Sequence, residues 1–195
     1  MIPFVGLTGG IGAGKSTALA ALERRGAAVL STDRVVHELY ESDDVKRAVI
    51  ERFGNEVESD GAIDRSALAR LAFATPADRG WLEQLLWPRV GARMIAWREE
   101  LEQRSPRPRA AVVEVPLLFE SGMEAAFDAT IAVIADEDLR AARAAGRGHD
   151  ALDERLARQL TQQEKAHRAT YVIANDGDIR ELEANLSSVL DILDP

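Results

Sequence analysis

Gly9-Gly10-Ile11-Gly12-Ala13-Gly14-Lys15-Ser16-Thr17 satisfies the pattern G-x-x-x-x-G-K-[ST] of a phosphate-binding loop. Glycines let successive backbone N–H groups turn inward around an anion, so Gly12, Ala13, Gly14 and the residues after them can cradle the phosphates of a nucleoside triphosphate. Lys15 brings a point charge to the β- and γ-phosphates, which makes it a candidate in catalysis as well as in binding. Ser16 offers a hydroxyl to Mg²⁺, and Thr17 continues the cradle. ATP and Mg²⁺ are the cofactors this chemistry calls for.

Two carboxylates could work beside that loop. Asp33 follows the apolar run Ala27-Ala28-Val29-Leu30 after only Ser31 and Thr32, where it could take the proton of an attacking hydroxyl. The same position suits the N-cap of a helix starting near Arg34, and position alone does not choose between the two. Glu114 breaks the apolar run Ala110-Ala111-Val112-Val113-Glu114-Val115. A lone Glu is almost never buried without a partner, which favours a role on Mg²⁺ or its waters, a place that phosphate-loop enzymes usually give to Asp.

Arginines gather late in the chain: Arg140, Arg143 and Arg147 at i, i+3, i+7, then Arg155 and Arg158. Guanidinium forks match phosphate oxygens, and Gly146 and Gly148 would let such a segment close as a lid. A solvated helix face paired with Asp138, Asp153 and Glu154 is the plainer reading. Beside a phosphate loop at least one arginine is expected to reach phosphate, and the spacing does not say which.

Positioning these groups requires a sheet. Ile2 to Leu7 reads as a short buried strand, and Lys15 to Arg25 as a helix with Leu19 and Leu22 inward, ended by Gly26. Further buried strands are expected at 27–30, 110–115, 129–135 and 171–174, and a closing helix with Leu182, Leu186, Val189 and Leu193 inward. Residues just past the carboxyl ends of parallel strands line the ligand crevice, which would bring Asp33 and Glu114 toward the loop.

Between residues 34 and 105 the apolar spacing is helical throughout, with no convincing strand. Val45, Val49, Ile50 and Phe53 form a stripe stopped by Gly54. Asp64 caps a segment with Leu68, Leu71 and Ala72 inward, and Thr75, Pro76 and Asp78 read as N-cap, N1 and N3 of a further helix. Pro88 should bend or end that helix, with Val90, Met94, Ile95 and Leu101 carrying the apolar face onward. An insertion of about seventy residues is far longer than a strand-to-helix connection needs, so it reads as a substrate-holding domain, or as a layer that only covers the sheet.

The chain has 195 residues, 46% apolar and 29% charged, enough for one substantial core with an insertion. A net charge of −9 argues against the nucleic-acid backbone as a partner, and the absence of cysteine excludes disulfides, thiolate metal sites and cysteine nucleophiles. His37, His149 and His167 have no metal-ligand spacing. With no secretory leader and no bilayer-length apolar run in the sequence, a cytoplasmic address and no membrane partner are expected. Oligomeric state is left open.

Taken together, these stretches resemble the dephospho-CoA kinase family nearly end to end. Gly6 to Thr17 looks like its opening, Asp33 stands where it has an aspartate after the second strand, and Phe53-Gly54 and Asp60-Gly61-Ala62-Ile63-Asp64-Arg65 are similar to its helical domain. Glu114-Val115-Pro116-Leu117-Leu118-Phe119-Glu120 resembles its D-V-P-L-L-F-E signature, Arg155-Leu156-Ala157-Arg158-Gln159 its lid, and Val172-Ile173-Ala174-Asn175-Asp176-Gly177 its final strand and turn.

The resemblance implies an α/β fold: a three-layer α/β/α P-loop NTPase core with a parallel sheet (1–33, 106–139 and 166–195), an inserted helical domain for the CoA substrate (34–105) and a helical lid (140–165). It implies transfer of the ATP γ-phosphoryl group to the 3′-hydroxyl of dephospho-CoA. Asp33 would serve as catalytic and substrate residue, Arg140 would act on the transferred group, and Arg143 and Asn175 would contact ATP. Arg65, Trp87, Pro116 and Leu117 would contact the small-molecule substrate, and Ser16 and Glu114 the metal.

Three departures stand out. Glu114 replaces the usual Asp, Trp87 stands where the family typically has His before Pro88, and the stretch from Arg143 to Arg155 does not follow the family's arginine spacing. Alternative readings are another small-metabolite kinase, of nucleotide or shikimate kinase type, or an ATP-binding module without catalysis. A GTPase switch is disfavoured because no N-K-x-D tetrapeptide occurs.

Overall fold

The computed structural model describes residues 1–145 and 159–194. The chain forms two compact units, Met1–Ser31 with Arg98–Pro195, and Thr32–Trp97. The expected lid falls partly outside the described residues, and Arg147, Arg155 and Arg158 lie there with it.

In the first unit five strands make a wholly parallel sheet in the order β2 (Ala28–Ser31), β5 (Ala111–Glu114), β1 (Phe4–Gly9), β6 (Ala129–Ile134), β7 (Tyr171–Ala174). Strands covered on both faces read as continuous apolar runs, which is how β1, β5 and β6 were legible as strands. Alternate residues face one layer: Val5, Leu7, Val112, Ile131 and Val133 are all fully buried against Ala18, Ala21 and Leu22 of α1 (Lys15–Arg24) and Leu182, Leu186 and Leu190 of α8 (Ile179–Leu193). Each of the valine, leucine and isoleucine side chains among these contributes ~1.5–3 kcal/mol relative to exposure.

The other face is covered differently. A Cβ on Gly6 would press against Leu118 and Phe127, and Phe127 stacks on Phe4 at 4.7 Å between ring centroids. The short helix α7 (Gln162–Arg168) packs on β6 and β1. The architecture is therefore an α/β sheet flanked by helices, with α6 (Glu137–Ala145) following β6. The strand order turns at β1: β2 and β5 lie to one side, β6 and β7 to the other. Such a switch point opens a crevice at the carboxyl ends of the strands.

The second unit has its own core of Val45, Val49, Val57, Leu68, Ala72, Leu82 and Leu86. α2 (Thr32–Leu39) is followed by α3 (Asp43–Phe53), which ends at Gly54, and by α4 (Arg65–Ala72), whose N-cap Asp64 accepts bonds from the Ser66 and Ala67 N–H groups. The expectation of no strand here is overturned by a small hairpin, β3 (Glu58–Ser59) with β4 (Ala62–Ile63). Its two-residue turn is Asp60-Gly61, with φ of 53° and 78°. Asp-Gly is the pairing that tolerates two positive φ values, so the signal was present in the sequence.

α5 (Pro76–Glu102) runs through Pro88, so of the two expected effects of that proline, a bend or an end, it does not end the helix. Proline there withholds one helical N–H, and the Arg89 side chain donates to the nearby Leu85 carbonyl at 2.7 Å. Val90, Met94 and Leu101 are buried as the apolar spacing requires, whereas Ile95 is 63% exposed and Trp97 is buried. No helix among the described residues is long and apolar enough to cross a membrane.

Candidate active site

β1 delivers the chain into the glycine loop at the centre of the sheet. Gly12 and Gly14 have φ of 78° and 92°, a region L side chains avoid, and each lies so close to a neighbour that a Cβ would collide: with the Arg140 carbonyl at Gly12, and with the Asn175 amide at Gly14. α1 then opens on Gly14 with no side-chain cap and no acid in its first turn. A helix start that no side chain caps and no carboxylate opposes leaves N–H donors and the positive dipole end for an anion.

The loop's carbonyls are held away from that role. Gly10 O accepts from Lys15 Nζ at 3.2 Å and from Ala13 N at 3.2 Å, Ile11 O from Arg140 Nε at 3.1 Å, and Ala13 O from Asn175 Nδ2 at 2.8 Å. Asn175 is itself buried, its N–H bonded to Ile134 O at 2.8 Å and its carbonyl taken by Arg143 Nη1 at 3.1 Å. Hydrogen bonds thus tie Gly10, Ile11, Ala13 and Lys15 of the loop to Arg140, Arg143 and Asn175 from α6 and the end of β7, while Gly12 and Gly14 lie in close contact with Arg140 and Asn175. Ser16 and Thr17 stand exposed in the first turn of α1.

This arrangement fits a triphosphate. Among the described residues no cluster of three His, Asp or Glu could hold a metal ion by itself. Mg²⁺ is commonly held by one or two protein oxygens together with substrate phosphates, and the exposed Ser16 hydroxyl and the half-buried Glu114 carboxylate are donors of that kind.

Glu114 is the last residue of β5, paired in register with Leu7 of β1 and Ser31 of β2, and is half-buried. The ladder between β5 and β1 closes with Val115 N on Leu7 O at 2.8 Å, and Pro116 and Leu117 follow, both half-buried. Their surroundings contain a group that the pattern of residues did not single out. Lys165, on α7, is fully buried, and its Nζ donates to Pro116 O at 2.7 Å, Glu120 Oε1 at 2.9 Å and Thr8 Oγ1 at 3.4 Å. Burial lowers the Lys165 pKa below the ordinary lysine value, while the Glu120 carboxylate pulls it the other way. The only local signal was the Thr161-x-x-Glu164 capping box, which both side chains complete and which announces a helix start without saying that its fourth residue is buried.

The remaining candidates belong to the second unit. Asp33 is exposed in the first turn of α2, which begins at Thr32. It is therefore not the N-cap of a helix starting near Arg34. Arg65 is the exposed first residue of α4, and Trp87 on α5 is 53% exposed.

The sequence profile of the dephospho-CoA kinase family matches residues 3–181. The dephospho-CoA kinase of Deinococcus radiodurans is 39% identical over 189 residues, covering 95% of this chain and 90% of that protein. That of Anaeromyxobacter dehalogenans is 42% identical over 179 residues, covering 89% and 83%. Among solved structures, TT1252 from Thermus thermophilus superposes with a TM-score of 0.83 at 34% identity over 98% of both chains. Dephospho-CoA kinase from Campylobacter jejuni, at 24% identity, shares the fold with a TM-score of 0.72 over 100% of this chain and 98% of that one. With a phosphate loop held open at the switch point of a parallel sheet and a family match that spans nearly the whole sequence, the chain belongs to the dephospho-CoA kinase family.

Proposed function

We propose that the protein is an ATP-dependent kinase that transfers the γ-phosphoryl group to the 3′-hydroxyl of dephospho-CoA, yielding CoA and ADP in the last step of CoA biosynthesis, and that it works in the cytoplasm. The observation that carries the reading is the uncapped, acid-free start of α1 behind a loop whose carbonyls are bonded elsewhere, in a chain of this family. Phosphoryl transfer needs positioning and charge stabilisation more than covalent chemistry, and such a loop supplies both.

The backbone N–H groups of Gly12 to Thr17 bind the phosphates, and Lys15 moves its charge onto the transferred group. Ser16 and Glu114 would hold Mg²⁺, which when bound neutralises charge on the β- and γ-phosphates. Asp33 orients the acceptor hydroxyl and takes its proton. Arg140, anchored through Nε to the loop, presents its guanidinium charge to the transferred group, and Arg143 steadies the Asn175 backbone beside the nucleotide. Pro116 and Leu117 are assigned to the acceptor, and Arg65 and Trp87 are further candidates for contact with it.

The test is ADP release from MgATP with dephospho-CoA, AMP, shikimate or no acceptor, with the product's mass recorded. Turnover with dephospho-CoA alone, and a product heavier by one phosphate, is the expected result. Turnover with a different acceptor, or none with any, overturns the reading.

A further inference from the structure

We propose that Lys165 is a positioning residue for the acceptor side of the reaction: its buried ammonium fixes the Pro116–Leu117 peptide against the carboxyl end of β1. The inference rests on the functional reading above, which gives Pro116 and Leu117 to the acceptor.

The sheet gives that peptide little hold. The last bond of the β1–β5 ladder is Val115 N on Leu7 O, and Pro116, whose position faces β2 in the alternation of a parallel strand, has no N–H to donate there. Side chains take over at that point. The Pro116 carbonyl accepts from Lys165 Nζ at 2.7 Å and from Thr8 Oγ1 at 3.2 Å, while the Thr8 hydroxyl in turn accepts from Lys165 Nζ at 3.4 Å. The third ammonium proton goes to Glu120 Oε1 at 2.9 Å, which also accepts Leu160 N at 2.8 Å. One cation therefore joins β1, just before the phosphate loop, to both ends of the segment from Pro116 to Glu120.

Stability gives no reason for an ammonium here. An ion pair with its ammonium fully buried and its carboxylate only 12% exposed usually does no better than apolar side chains of the same volume, because both charges lose most of their water. What an ammonium adds is direction: three donors at fixed angles, two of them aimed at the Pro116 carbonyl and the Thr8 hydroxyl bonded to it. A displacement of about 1 Å in a substrate-bearing peptide is enough to change kinetics by an order of magnitude or more.

The experiment separates that role from mere packing. Steady-state kinetics are run with dephospho-CoA and MgATP varied separately, and thermal midpoints are measured on the same proteins. In Lys165→Met the KM for dephospho-CoA is expected to rise about tenfold, with that for MgATP within about twofold, and the midpoint to fall because Glu120 is left charged and unpaired. Adding Glu120→Gln removes the stranded charge, so the double variant should regain most of the midpoint while its KM for dephospho-CoA stays raised. Thr8→Val, isosteric and leaving the ion pair whole, should raise the same KM by a smaller factor, and it serves if the Lys165 variants fail to fold. A double variant with wild-type KM, equal rises for both substrates, or a silent Thr8→Val overturns the proposal. A wild-type protein that does not phosphorylate dephospho-CoA overturns instead the functional reading on which it rests.

Discussion

Phosphate oxygens and carbonyl oxygens repel each other, so a loop that offers N–H groups to a triphosphate must dispose of its own carbonyls. Arg140, Asn175 and Lys15 do this for Ile11, Ala13 and Gly10. Of the three, Asn175 acts from a buried site and also packs against the positive-φ Gly14. Asn175→Ala should therefore cost ~1–2 kcal/mol of stability, since it strands the Ala13 carbonyl, and should weaken MgATP binding by about fivefold in a calorimetric titration. Asp33 is a different kind of residue, exposed and held by no burial of its own. If it takes the acceptor proton, Asp33→Asn should cut kcat by at least ~10²-fold while MgATP affinity stays nearly unchanged. Equal turnover in that variant would remove it from the chemistry.

Among the elements, α5 shows how a helix of 27 residues is set in place from one end. Thr75 Oγ1 accepts from Asp78 N at 3.1 Å and its hydroxyl donates to Asp78 Oδ2 at 2.7 Å, while Asp78 Oδ1 accepts from Arg52 on α3 at 2.7 Å. The Thr75 hydroxyl first and Arg52 second hold the Asp78 pKa below the ordinary carboxylate range. A folded value lower than the unfolded one means that the contribution is complete above the ordinary range and lost as pH falls through the lowered value. Thermal melts of Asp78→Asn should thus show a lower midpoint than wild type at neutral pH, with the gap closing as pH falls below the ordinary carboxylate range. The pin is solvent-exposed, so the gap should also shrink in high salt.

On the scale of the whole molecule, the described network around the phosphate loop lies in Met1–Ser31 and Arg98–Pro195, whereas Thr32–Trp97 has a core of its own. Leu68 is among the most buried residues of that second core, at 1% exposed. Leu68→Ala should cost ~2–5 kcal/mol. Well below the lowered thermal midpoint, its MgATP affinity should match wild type within about twofold, measured by calorimetry, because the residues proposed to contact phosphate belong to the other unit. Loss of ATP binding in parallel with stability would show that the two cores do not act separately.

The sequence determined what depends on neighbours along the chain. Backbone sterics and the 3.6- and 2-residue periods made the phosphate loop, the apolar strands and the Asp64 cap legible from residue types alone. The Asp60-Gly61 hairpin is equally local, but the helical period of its surroundings masks it. What depends on distant partners was not legible. Periodicity placed Ile95 inward although it is exposed, because several faces of a long helix carry apolar residues and only packing selects which is covered. Asn175 reaches a carbonyl 162 positions away, and Lys165 a hydroxyl 157 positions away. No propensity marks a lysine as buried. Only the tertiary structure could bring it three acceptors, because an ammonium leaves water only where acceptors from separate strands and loops converge to replace its solvation.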